Sequence, residues 1–188
     1  SYRTLAGTMD LGQALANNLL FYEDGLSGTV TVHRKGDFRF LRVNGKTDAS
    51  EGGDMSTQLL LGYMPRLWGP PAPKRALVVG LGAGLTAAAL AEDAGLEALD
   101  VVEIEPAVAR AARYFDRSNR SVLDDPRVRL LFADARQVLA SPGPGYDLIV
   151  SEPSNPWIAG VSALFTEEAF AAGRSRLNPG GVFCQWFH

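Results

Sequence analysis

The sequence predicts an α/β protein, a Rossmann-like domain with a parallel sheet, preceded by a small N-terminal β-hairpin domain. Three observations lead there. After residue 75, short apolar runs alternate with helical segments, the pattern of right-handed βαβ units. The glycine-rich stretch Gly80-Leu81-Gly82-Ala83-Gly84 follows the first apolar run directly. Ahead of residue 70, two segments alternate apolar and polar residues with the period of a half-buried strand.

The elements follow in order. Gly28–His33 and Phe38–Val43 alternate as strands around the turn-forming Arg34-Lys35-Gly36-Asp37, which reads as a hairpin. Asn44-Gly45 makes another turn. Asp54 is placed to cap a helix running to about Tyr63, before Pro65. The proline-rich stretch Gly69-Pro70-Pro71-Ala72-Pro73-Lys74 fits neither a helix nor a central strand. It divides the chain into an N-terminal hairpin and helix domain, 1–70, and a Rossmann-like domain, 71–188. In the second domain, strands are expected at Ala76–Gly80, Leu99–Ile104, Val128–Phe132, Tyr146–Ser151 and Val182–Phe187. Helices are expected at Thr86–Ala94, Ala107–Phe115, Ala135–Ala140 and Thr166–Leu177, the last ended by Asn178-Pro179-Gly180-Gly181.

Composition narrows the function. The chain has 188 residues, is 46% hydrophobic and carries a net charge of −3. That balance argues against nucleic acid as a partner, since such binders carry a basic excess. Cys184, His33 and His188 make no zinc spacing, so no metal is expected. One cysteine forms no intrachain disulfide and fits a reducing, cytoplasmic setting. No apolar run reaches about 18 residues, and Ser1–Asn18 lacks the features of a signal peptide. The first residue is not Met and the chain stops after an apparent strand. It is therefore read as a piece of a longer protein, in which further residues or a partner chain cover the apolar edge Val182–Phe187.

Four motifs carry chemistry. Glycines let the loop 80–84 turn tightly and approach a ligand. A dinucleotide fingerprint needs a third glycine where Leu85 stands. The observed G-x-G-x-G spacing is instead typical of the sulfonium-nucleoside loop of class I methyltransferases. Glu103 ends the second strand, where an acidic residue accepts hydrogen bonds from both ribose hydroxyls; the alternative is a solvated strand-end carboxylate. Glu105, two residues on, ranks second for that role. Asp134-Ala135 ends the third strand. Asp134 is placed to accept from an adenine amino group or to cap a helix, and the two roles are compatible. After the fourth strand comes Ser151-Glu152-Pro153-Ser154-Asn155-Pro156-Trp157. Glu152 is placed to hold a cationic amine and take its proton. Trp157 either walls the pocket or is simply buried.

With these motifs in view the chain resembles the spermidine synthase family of aminopropyltransferases. The stretches that carry the resemblance are VNGK (43–46), VVGLGAG (78–84), VVEIEP (101–106), DDPRVRLLFADA (124–135), YDLIVSEPSNP (146–156), ALFTEEAF (163–170) and LNPGGVFCQ (177–185). The resemblance implies transfer of an aminopropyl group from decarboxylated S-adenosylmethionine to a small amine acceptor, by a homo-oligomer, without a metal. It places Gly80, Gly82, Ala83, Gly84, Glu103, Asp134 and Ala135 at the donor, with Glu103 on ribose and Asp134 on adenine. It makes Glu152 the catalytic carboxylate and puts Gln58, Asn155 and Trp157 beside the acceptor. Three positions depart from the family: Ala83 stands for an aspartate, Glu152-Pro153-Ser154-Asn155 for Asp-x-x-Asp, and Thr57-Gln58 for Tyr-His. They bring the chain closer to a spermidine-synthase-like branch often fused to membrane segments, which would lie outside this chain. The alternative is an enzyme using S-adenosylmethionine itself, such as a methyltransferase.

Overall fold

The structure, a computed structural model, describes residues 18–153 and 160–187. It contains two sheets. The first is antiparallel, in the order β1 (Leu19–Asp24), β2 (Thr29–Lys35), β3 (Phe38–Val43) and β4 (Lys46–Ser50). The hairpin β2–β3 closes through Gly36-Asp37 and pairs Lys35 with Phe38. Its flanking strands had no sequence signal. β1 (LLFYED) does not alternate cleanly, and β4 (KTDAS) is short and polar. β4 is set by the turn before it, where Asn44 and Gly45 both take positive φ, 50° and 80°, the pairing that joins antiparallel strands by two residues.

Two helices follow, α1 (Met55–Tyr63) and α2 (Pro65–Trp68). The expected side-chain cap of α1 does not form. Asp54 precedes the helix, but its carboxylate caps nothing; it is occupied by Ser50 Oγ and Gln58 Nε2. Neighbouring side chains outcompete the backbone for this carboxylate.

The second sheet is parallel, five strands in the order β7-β6-β5-β8-β9. These are β5 (Arg75–Val79), β6 (Ala98–Glu103), β7 (Val128–Phe132), β8 (Tyr146–Ser151) and β9 (Leu177–Gln185). Between them lie α3 (Leu85–Ala91), α4 (Pro106–Ala112), α5 (Ala135–Ala140) and α6 (Glu167–Ser175). Central strands bury both faces: Ala76 and Val78 join one apolar cluster, Leu77 and Val79 the other. That is why they read as unbroken apolar runs.

Several expected boundaries shift by one to three residues, and the largest departure is at the start of β9. Asn178-Pro179-Gly180-Gly181 does not end α6, which stops at Ser175; it lies inside β9. Pairing steps from Tyr146↔Leu177 to Leu148↔Val182, so the extra residues are absorbed as an irregularity. β9 is at the sheet edge, where proline and bulges are tolerated.

Charged groups tie the two sheets together. The Glu105 carboxylate accepts from Ser27 N, Ser27 Oγ and Ala107 N at 2.7, 2.8 and 3.0 Å. Arg110 pairs with Glu23 through two nitrogens, and Ser118 Oγ donates to Glu51. No described helix is long and apolar enough to cross a membrane.

Candidate functional site

Strand order reverses between β5 and β8, and in such sheets ligands bind at the carboxyl ends beside that switch point. The segments named from sequence converge there. Gly80 N donates to Val102 O, Glu152 N to Val79 O, and Ala133 N to Glu103 O. The glycine loop, Glu103, Asp134 and Glu152 therefore share one rim.

The loop needs its glycines. Gly80, Gly82 and Gly84 all have positive φ, 92°, 52° and 80°, a region costly for residues with a Cβ. A Cβ on Gly80 would also meet the Glu152 carbonyl oxygen at 2.8 Å. Ala83 is fully buried, with its carbonyl accepting from Asn119 Nδ2 at 2.8 Å. Asn119 also donates to Ala112 O at 3.1 Å, and so clamps the loop to the end of α4.

Glu103 is not a solvated carboxylate; it is 8% exposed. One oxygen accepts from Leu81 N at 3.0 Å and the other from Glu105 N at 2.9 Å. Burial raises its pKa, and the backbone donors oppose that rise. It thus fastens the glycine loop to the end of β6 and keeps lone pairs for further donors. Glu105, ranked second for the ribose, is engaged otherwise: it caps α4 and holds Ser27.

Asp134 caps α5 through Arg136 N at 2.9 Å. Both its oxygens also take the Arg136 guanidinium, which lowers its pKa. Ala135 is buried behind it. An adenine amino group would compete with Arg136, whose side chain is half exposed.

Glu152 follows β8. Its Oε2 lies 2.5 Å from Thr86 Oγ1. Burial pushes this carboxyl from its ordinary 4.5 up to about 7; the Thr86 hydrogen bond opposes the rise and the charge of Asp54 adds to it. A base with a pKa near the working pH suits proton transfer. Gln58 is buried, its side-chain amide donating to Asp54 Oδ2 at 3.1 Å and its backbone carbonyl accepting from Thr86 Oγ1 at 2.9 Å. Asn155 and Trp157 lie outside the described residues.

Sequence reasoning missed three residues on this rim. Thr86 and Asn119 carry no motif, being a lone hydroxyl in an alanine-rich helix and a polar loop residue. Gln185 donates to Ser151 O at 3.4 Å, while its buried Oε1 finds no partner among the described residues. No cluster able to hold a metal occurs among the described residues. An open groove of about 230 Å³ lies apart from these carboxylates, lined by residues including Pro106, Arg110, Leu130 and Phe132.

Comparison with known proteins adds to this geometry. A spermine/spermidine synthase domain matches residues 57–186. Putrescine N-methyltransferase 2 of Nicotiana attenuata is 31% identical over 80% of this chain and 42% of its own length. Spermidine synthase of Dictyostelium discoideum is 29% identical over 79% of this chain and 53% of its own. A crystal structure of spermidine synthase in complex with the transition state analogue AdoDATO superposes with a TM-score of 0.82 at 24% identity, covering 90% of this chain and 58% of that one. The chain thus spans about half the length of the relatives it matches.

Proposed function

Because this chain belongs to the spermine/spermidine synthase family, we propose that it forms the donor-binding and proton-accepting part of an aminopropyltransferase. The donor is decarboxylated S-adenosylmethionine and the acceptor a small amine. The observation that carries this reading is Glu152, a largely buried carboxylate beside the glycine loop whose proton affinity is poised near neutrality. The glycine loop and Glu103 bind the adenosyl group, with Glu103 accepting from the ribose hydroxyls. Asp134 accepts from the adenine amino group once Arg136 swings aside.

The reaction is a displacement. The neutral amine attacks the carbon next to the sulfonium, the carbon–sulfur pair goes to sulfur, and methylthioadenosine leaves. The proton shed by the amine passes to Glu152. The chain's part is alignment, exclusion of water and acceptance of that proton.

The test uses the full-length enzyme. Glu152→Gln is expected to lower kcat by at least about a hundredfold, a usual size for loss of a proton-transfer group, while donor affinity stays within about threefold. Equal turnover in a folded variant would remove Glu152 from the mechanism. A second reading, methyl transfer from S-adenosylmethionine, is favoured by the likeness to putrescine N-methyltransferases.

A further inference from the structure

Thr86 is the second residue of α3, 2% exposed. Its Oγ1 is 2.5 Å from Glu152 Oε2 and 2.9 Å from the backbone carbonyl oxygen of Gln58 in α1. A hydroxyl has one proton and two lone pairs, whereas a carbonyl only accepts. When Glu152 is ionised, the Thr86 proton points to the carboxylate. When Glu152 holds a proton, the carboxyl donates to Thr86 and Thr86 donates to Gln58. Each state leaves Glu152 with a hydrogen-bond partner, and the Gln58 carbonyl, which also accepts within the α1 ladder, gives up only the Thr86 proton in the ionised state. Glu152 can therefore take up and release a proton without losing its contact.

We propose that Thr86 is a positioning residue for aminopropyl transfer, its hydroxyl turning between the Gln58 carbonyl and Glu152 so that the carboxylate is held in place on both sides of the proton-transfer step. The proposal rests on the reading of Glu152 as the proton acceptor. The groups around Glu152 fit this role. From the α1 side, Asp54 acts on it as a like charge, and Asp54 is itself held by Ser50 and by the Gln58 amide. From the α3 side comes the Thr86 hydroxyl. The loop after β5 contributes backbone at Gly80. β9 brings the neutral Gln185 amide against Ser151. The Thr86 hydroxyl therefore supplies the directional contact in both states, and Asp54 the neighbouring like charge.

Two readouts test this on the full-length enzyme. The first is the protonation midpoint of Glu152, followed by its carboxyl stretch in infrared difference titration with Glu152→Gln as blank. The second is the acid limb of kcat/KM with putrescine and decarboxylated S-adenosylmethionine. Hydrogen bonds to ionised groups are stronger than those to neutral ones, so Thr86→Val is expected to raise both by about one pH unit. Thr86→Ser is expected to leave both at the wild-type position. An unchanged infrared midpoint in Thr86→Val, or the same shift in Thr86→Ser, overturns the proposal. A shifted midpoint with an unmoved rate limb keeps the hydroxyl link and removes Glu152 as the base.

Discussion

At Glu103 a single carboxylate reaches both Leu81 N and Glu105 N, so the proposed ribose contact would be coupled to the shape of the glycine loop. Glu103→Gln replaces one acceptor oxygen with a donor facing a backbone N–H. The expected loss of methylthioadenosine affinity is about 1.5–3 kcal/mol, the worth of one hydrogen bond to a charged group. Titration calorimetry reads it, and unchanged affinity removes Glu103 from the donor site. Glu152 gives a pH-dependent stability effect. Its folded pKa, about 7, exceeds the ordinary 4.5. Across that window the folded chain keeps a proton that the unfolded chain has lost, so Glu152 costs stability as pH rises. The cost is absent below 4.5 and complete above about 7. Glu152→Gln removes it, and the variant should gain on wild type by up to about 3 kcal/mol between pH 5 and pH 8. Thermal unfolding at the two pH values checks this; an equal difference at both contradicts it.

Elements that bury both faces were legible in the sequence because burial alone dictates their composition. Tyr146–Ser151, buried at every position but Asp147, occupies the expected residues, as do Val128–Phe132 and Ala135–Ala140, which are only partly buried and read from their pattern instead. β1 and β4 were not legible, because their places are fixed by partners: β1 by pairing with β2, β4 by the Asn44-Gly45 turn. The candidate rim was legible where a side chain ends or follows a strand, as at Glu103, Asp134 and Glu152. It was silent where contacts cross the fold, as from Thr86 to Gln58 and from Asn119 to Ala83. The Glu105 clasp is another such contact. Gly25 lies against it so closely that a Cβ there would clash with Glu105 Oε1. Gly25→Ala should therefore displace the carboxylate from Ser27 and from the cap of α4, at a cost of about 1–3 kcal/mol. In a Glu105→Ala background the same change should cost little. Denaturant unfolding of this double-mutant cycle checks it, and additive costs would show that Gly25 does not act through Glu105.

Across the whole molecule, a polar anchor in the sheet stands apart from the candidate rim. Asp100 in β6, 2% exposed, accepts from Arg129 of β7 through two bonds of 2.9 Å and from Tyr146 Oη of β8 at 2.7 Å, with Arg75 of β5 at 3.7 Å. Four strands meet at one carboxylate. Tyr146→Phe should cost about 1–3 kcal/mol of stability by removing a donor to a buried charge, yet leave donor affinity unchanged. Unfolding and calorimetry on the same variant read the two effects separately, and a loss of affinity without a loss of stability would reverse the assignment.

The central claim is aminopropyl transfer, and the nucleoside product tests it most directly. Full-length protein is incubated with putrescine and, in separate reactions, decarboxylated S-adenosylmethionine or S-adenosylmethionine, and the products are separated by chromatography. The account predicts methylthioadenosine and an aminopropylated amine from the decarboxylated donor. S-adenosylhomocysteine and a methylated amine from S-adenosylmethionine, with no methylthioadenosine from the other donor, would contradict it.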